Sequence, residues 1–143
     1  MSGKVLLDAG PLVAFLDGRD RYNEWAMAQW ASVVPPFLTC EPVLTEACFL
    51  LPHRAQRARL ARLLVSLDLQ PYESRDEGRL RVEVFEWLAK YADHEPDWAD
   101  GYLAVISGRE TRWRVWTYDG EFRNVWRRAN GGRIPLAVRA ASE

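Results

Sequence analysis

The chain has 143 residues, 48% apolar and 27% charged, which is the size and composition of one soluble globular domain with a single sizeable core. No apolar run approaches the roughly 18 residues of a membrane span, and a single lysine before Asp8 does not make a signal peptide's basic region, so a cytoplasmic protein with no membrane association is expected. The net charge of −1 excludes a generic electrostatic nucleic-acid binder, but a local basic face is compatible with it because almost all the cations are arginine.

Val5 to Leu7 read as a short buried strand that ends at Asp8, with Gly10-Pro11 turning into a second apolar segment. At the carboxyl end of a parallel strand, Asp8 stands where open α/β sheets place ligands. It equally suits the N-cap of the following helix. Leu12 to Leu16 form that short helix, and Asp17-Gly18 end it. Asn23 caps a second helix from Glu24 to about Val34, stopped by Pro35-Pro36. Phe37 to Cys40 are a second strand, and Pro42 opens a helix that runs to Leu51. Glu46 lies one turn in, among Val43, Leu44, Ala47, Phe49 and Leu50. Buried there it would favour the protonated acid; on the outer edge of the helix it is simply solvated.

Ala55 to Leu67 make an amphipathic helix, with Leu60, Leu63, Leu64 and Leu67 inward and Arg54, Arg57, Arg59 and Arg62 outward. Such a charge run is ordinarily a solvated face, and here it is also the best candidate for phosphate contact. Leu69 to Tyr72 form a strand that Pro71 confines to an edge or an end. Ser74 and Glu77 have the spacing of a capping box, ahead of a long helix striped by Leu80, Val84, Trp87, Leu88 and Tyr91. After Pro96, Asp97 caps the next helix, and Asp100 projects near the same end, leading an apolar face toward the sheet. Arg114 to Gly120 are the last clear strand and its turn, in which Thr117 and Asp119 share a side. Phe122, Val125 and Trp126 suit a short helix, Ile134 to Leu136 an added edge strand, and residues from about 137 to 143 a loose tail. With no repeat or linker, 1–143 is a single domain.

This order of strands and helices implies a three-layer α/β/α fold with a central parallel sheet. Its strand ends gather at one edge, so Asp8, Glu46, Asp100 and Asp119 can converge. Crowded carboxylates raise one another's pKa, and a divalent cation relieves the repulsion. Oxygen-only ligands select Mg²⁺ or Mn²⁺. His53 and His94 stand alone as surface or packing residues, and Cys40 and Cys48 read as reduced thiols without a CxxC pair, so nothing points to zinc. A carboxylate-held cation can activate water for in-line displacement at phosphorus, which makes metal-dependent phosphodiester hydrolysis the chemistry to expect.

Four short segments carry a resemblance: Val5 to Leu12, Pro42 to Ala47, Asp97 to Gly101, and Thr117 to Phe122. In this order, over nearly the whole chain, they resemble the PIN-domain nucleases, in particular the VapC-type toxins of bacterial toxin–antitoxin pairs. The resemblance implies a compact α/β/α fold, an acidic Mg²⁺ or Mn²⁺ centre and endonucleolytic cleavage of single-stranded RNA. By it Asp8, Glu46, Asp100 and Asp119 are the catalytic, metal-holding acids, Asp97 is an accessory ligand, and Thr117 orients either the metal's water or Asp119. It also implies a cognate antitoxin and a homodimer. Gly101 departs from the pattern, because similar proteins often carry alanine there, and glycine weakens a helix by up to ~1 kcal/mol. The alternative is a non-catalytic PIN-like module that binds RNA or protein. A receiver-type phosphoacceptor or an Asp-x-Asp phosphatase is excluded, since the paired acids each needs after the first strand are absent and Gly10 stands where the second aspartate belongs. Of the tryptophans, Trp25, Trp30, Trp87 and Trp126 read as core or dimer contacts; Trp98, between Asp97 and Asp100, is the one to consider near substrate, with packing favoured even there.

Overall fold

Three apolar residues in a row, rather than an alternating pattern, mark a strand covered on both faces. Val5, Leu6 and Leu7 have no exposed surface and form β1 (Val5–Leu7), an inner strand of the sheet in this computed structural model, which describes residues 3–138. β2 (Phe37–Thr39), β3 (Gln70–Pro71) and β4 (Arg114–Trp116) complete a parallel sheet in the order β3-β2-β1-β4. Val5 pairs with Phe37 on one side and with Arg114 on the other. Pro71 lies in the edge strand, where its missing N–H does no harm.

Seven α-helices join the described strands: α1 (Ala9–Leu16), α2 (Asn23–Trp30), α3 (Glu41–Leu50), α4 (Arg54–Ser66), α5 (Glu77–Lys90), α6 (Trp98–Arg109) and α7 (Glu121–Asn124). α1 packs on α2, α3 and α4, whereas α6 packs on α5, α3 and β4. Both faces of the sheet are thereby covered, and the architecture is the expected three-layer α/β/α. Ala9, Pro11, Leu12, Val13, Ala14 and Leu16 are all buried, so α1 is a core helix with no solvent stripe.

Local details depart from expectation at several ends. Asn23 does not cap α2; it is the first residue of the helix, and its Nδ2 donates to the Ala14 carbonyl at 2.7 Å, tying α2 back to α1. α2 stops at Trp30, short of Val34. Asp76, not Ser74, caps α5 by accepting from the Arg79 N–H at 2.9 Å, while Ser74 N–H reaches Glu77 Oε1 at 3.3 Å. The closer acid wins because its carboxylate is the stronger acceptor for an unpaired first-turn N–H. Ile134 to Leu136 contribute one bridge, Leu136 to Val115, rather than a strand. Of the expected tail, Ala137 donates to the Val115 carbonyl at 2.8 Å and is packed, while 139–143 lie outside the described residues. No described helix is long and apolar enough to cross a membrane.

The helix α4 arginines have a mixed use. Arg57 donates to the carbonyls of Cys48 and Leu51, and Arg59 to that of Leu16. These are the unsatisfied C-terminal carbonyls of α3 and α1, so half of the arginine row acts as C-caps.

Gly101, the departure noted in the sequence, has a packing reason. A Cβ at this position would stand 2.8 Å from Val84 Cγ1 and 3.2 Å from Leu88 Cδ2. Only glycine lets α6 lie this close to α5. Gly101→Ala gains up to ~1 kcal/mol of helix propensity but overpacks a buried contact, a penalty of about 1–3 kcal/mol. The net expectation is a loss of about 1 kcal/mol. Adding Val84→Ala removes the closest of these contacts, so a double-mutant cycle by urea denaturation is expected to show a favourable coupling between the two sites; strict additivity would contradict the clash.

Candidate functional site

β1 has β2 on one side and β4 on the other, although β4 comes last in the chain; the crevice beyond the carboxyl ends of β1 and β4 is therefore a topological switch point. The ladder continues one residue past β1, where Asp8 N–H donates to the Trp116 carbonyl at 3.0 Å. Asp8 is thus held by main chain before its side chain does anything. Its Oδ1 accepts from the Ala9 N–H at 2.8 Å, which makes it the N-cap of α1, and its Oδ2 accepts the Thr117 hydroxyl at 2.7 Å. The two readings of Asp8, cap and strand-end acid, are both realised. Thr117 Oγ1 in turn accepts from the Asp119 N–H at 3.0 Å. Its proton goes to Asp8 and its lone pair orients the Asp119 main chain, so one hydroxyl links the two strand-end acids.

The other acids arrive on helices whose N-terminal ends point to the same edge. Asp97 caps α6: its Oδ1 accepts from the Asp100 N–H at 2.8 Å, and Asp100 Oδ2 accepts from the Asp97 N–H at 3.0 Å. This is a capping box made from two aspartates. One oxygen of each is committed to the helix end; the other accepts no hydrogen bond among the described residues. Glu46, half-buried on α3, comes from the opposite wall. Together Asp8, Glu46, Asp97, Asp100 and Asp119 line one cavity of about 220 Å³.

A sixth carboxylate, Asp20, lines the same cavity and was not among the expected site residues. It sits in the turn between α1 and α2, where its Oδ1 accepts from the Tyr22 N–H at 2.9 Å. The sequence offers no signal that separates it from any other turn aspartate. Tyr22 and Tyr118 form the wall beside it, with ring centroids 5.1 Å apart.

The electrostatics are those of a crowded, partly dehydrated set of like charges. Burial, with repulsion from Asp119 and Asp97 adding to it, pushes Asp8 up to about 6 in spite of the Thr117 and Ala9 hydrogen bonds. Glu46 rises to about 7, chiefly by burial and then through Asp8, Asp97 and Asp119. Asp100 is raised by burial first and then by Asp97, Asp8 and Asp119, against the opposing backbone hydrogen bond. Among the described residues no three carboxylate, imidazole or thiol groups are already drawn into the spacing of a ligated ion. The donor set itself fits a hard cation: all oxygen, multiply anionic, and destabilised in its ionised form without a compensating charge.

No protein-family model and no curated protein matches the chain by sequence. Among solved structures, the crystal structure of Mycobacterium tuberculosis VapC20, a sarcin-ricin loop cleaving toxin, is similar with a TM-score of 0.73. The chain has the VapC20 fold. The likeness covers 85% of this chain and 94% of VapC20, at 20% sequence identity. It is one of architecture, and the acids of the VapC20-like sheet edge are assigned here from their own geometry.

A raised carboxyl pKa stabilises the fold fully below its unfolded value near 4, and that contribution is lost as pH rises through the folded value. For Asp8 the window is from about 4 to about 6. Asp8→Asn removes the charge and keeps one acceptor oxygen, for the Ala9 N–H, while its Nδ2 donates to the Thr117 hydroxyl instead of accepting from it. The metal-free variant is expected to gain on the wild type by about 3 kcal/mol as pH is raised from below 4 to 8. Denaturant melts across that range check it; a difference that does not change with pH would contradict the assignment.

Proposed function

We propose that the chain is a metal-dependent endoribonuclease that cleaves single-stranded regions of RNA, acting as the toxin of a toxin–antitoxin pair. The observation that carries this reading is the meeting of Asp8, Glu46, Asp97, Asp100 and Asp119 around one small cavity at the switch point of a VapC20-like sheet. Asp8, Glu46, Asp100 and Asp119 would hold Mg²⁺ or Mn²⁺, with Asp97 as the accessory. When bound, such a cation supplies neutralisation of the acids, Lewis acidity at the phosphoryl group and a more acidic water.

The chain's own residues supply position and charge. Thr117 keeps the Asp8 carboxylate from rotating and places the Asp119 backbone two residues beyond it. The reciprocal Asp97–Asp100 hydrogen bonds fix both side chains against the first turn of α6, whose N-terminal dipole favours their negative charge. Held in this way, the carboxylates need little reorganisation when charge develops on a scissile phosphate. Asp8 itself is buried, which keeps bulk water from screening its charge.

Purified protein incubated with single-stranded RNA and Mg²⁺ or Mn²⁺ is expected to cut it. EDTA is expected to abolish cutting, and Asp8→Asn or Asp100→Asn to slow it by 100-fold or more, on the scale of losing a transition-state interaction of about 3 kcal/mol. Cleavage that persists through EDTA and both substitutions would overturn the reading. A protein that binds RNA and Mn²⁺ without cleaving is the non-catalytic module instead. Homodimerisation belongs to the same reading and is expected in sedimentation equilibrium as a mass twice the chain's.

A further inference from the structure

A second, larger groove of about 630 Å³ adjoins the acidic cavity and shares Glu46 and Asp97 with it. Its walls are of a different chemistry. Phe49 on α3, 80% exposed, and Trp98 and Tyr102 on α6 line it, together with Arg81 on α5 and a further acid, Glu41, at the start of α3. Trp87, Trp116 and Trp126 are buried, but Trp98 is not; it is half-buried, braced by Phe85 at 4.8 Å and by the Tyr102 ring at 5.2 Å in an edge-on arrangement. Trp98 packs against the core, as preferred from sequence, and leaves part of its surface on the groove. Arg81 is exposed and makes no ion pair among the described residues.

We propose that this groove is a base-stacking subsite, in which an unpaired nucleotide beside the phosphate at the acids lies against Trp98, with Phe49 adding apolar contact and Arg81 meeting the next phosphate. The inference rests on the endoribonuclease reading and names how that site takes hold of its substrate. The groove shares Glu46 and Asp97 with the acids, so it is within reach of a nucleotide next to one whose phosphate meets them. Aromatic faces with one unpaired guanidinium are the chemistry that receives an exposed base and its phosphate.

The test separates stacking from cleavage. Short single-stranded RNAs carrying the fluorescent base 2-aminopurine at successive positions are bound in Mg²⁺ to the Asp100→Asn protein. Quenching at one position is expected, lost in Trp98→Ala and largely kept in Trp98→Phe. In the otherwise native protein, Trp98→Ala is expected to lower kcat/KM about 10-fold, mainly through KM, on RNA with that base and to have no effect on the same RNA made abasic there. Phe49→Ala, a change on an exposed side chain that leaves the fold alone, is expected to act in the same direction and less strongly. Unchanged quenching in Trp98→Ala, or equal losses on base-bearing and abasic RNA, would overturn the subsite; a groove indifferent to RNA in both readouts would be left to a protein partner. If no variant cleaves RNA at all, the nuclease reading fails, while the quenching experiment still decides the subsite.

Discussion

The pairing of β1 with β4 is the constraint on which the site depends. It brings chain positions more than a hundred residues apart into one ladder, and the ladder does not stop at the last strand residue. The Asp8 N–H to Trp116 carbonyl bond extends it by one step, and the Thr117 hydroxyl then bonds Asp8 across the same gap. An aspartate that begins a helix, ends a strand and accepts a hydroxyl has almost no rotational freedom. The rest of the carboxylate set is arranged around that fixed point.

Fixing the acids does not remove the repulsion among them. The chain spreads it over local devices that each favour a negative charge. Asp8 and Asp97 sit at the N-termini of α1 and α6, where unpaired backbone N–H groups and the helix dipole attract anions. Asp20 and Asp119 accept from backbone N–H groups in the turns they occupy. Glu46 has no such partner among the described residues, and burial and its acidic neighbours raise it to about 7. These devices fall short of the desolvation that Asp8 and Asp100 undergo, since both remain raised. A protein stabilised elsewhere carries this residual strain at one edge, a pattern common to sites that bind or react.

Much of this was legible in the residues. A strand buried on both faces declares itself as an unbroken apolar run, and Val5 to Leu7 do so. Pro71 marked the sheet edge because a missing donor is tolerated only there. Asp8, Asp97, Asp100 and Asp119 were findable because each lies at a strand end or a helix start, which parallel topology sends to one rim; Glu46, in the middle of α3, stood out only as a carboxylate in an apolar segment. What escaped was whatever depends on tertiary distance. Asp20 lies in an ordinary turn and reaches the cavity only because α1 and α2 fold back on each other. Ser74 and Asp76 compete for one helix end, and spacing alone ranks them wrongly. Gly101 looked like a weakness in a helix, and only the distance to Val84 shows it to be a requirement of packing.

The arginines show the same limit from the opposite sign. Read as a row, Arg54, Arg57, Arg59 and Arg62 look like one cationic face. In the fold, Arg57 and Arg59 cap the carboxyl ends of α3 and α1, so their charge serves the helices that carry Glu46 and begin at Asp8. In α1 the Asp8 cap and Arg59 match the dipole at both ends, and in α3 first-turn Glu41 and Arg57 do so, while Glu46 lies beyond the reach of that helix end. A near-zero net charge is then the sum of deliberate local pairings between charge and backbone. It leaves an uncompensated excess of negative charge in one place, the rim where β1 and β4 end, and an unpaired guanidinium, Arg81, on the groove next to it. The two cavities thus differ in their walls, carboxylates at the strand ends and aromatic rings with one guanidinium beside Glu41, Glu46 and Asp97 in the groove.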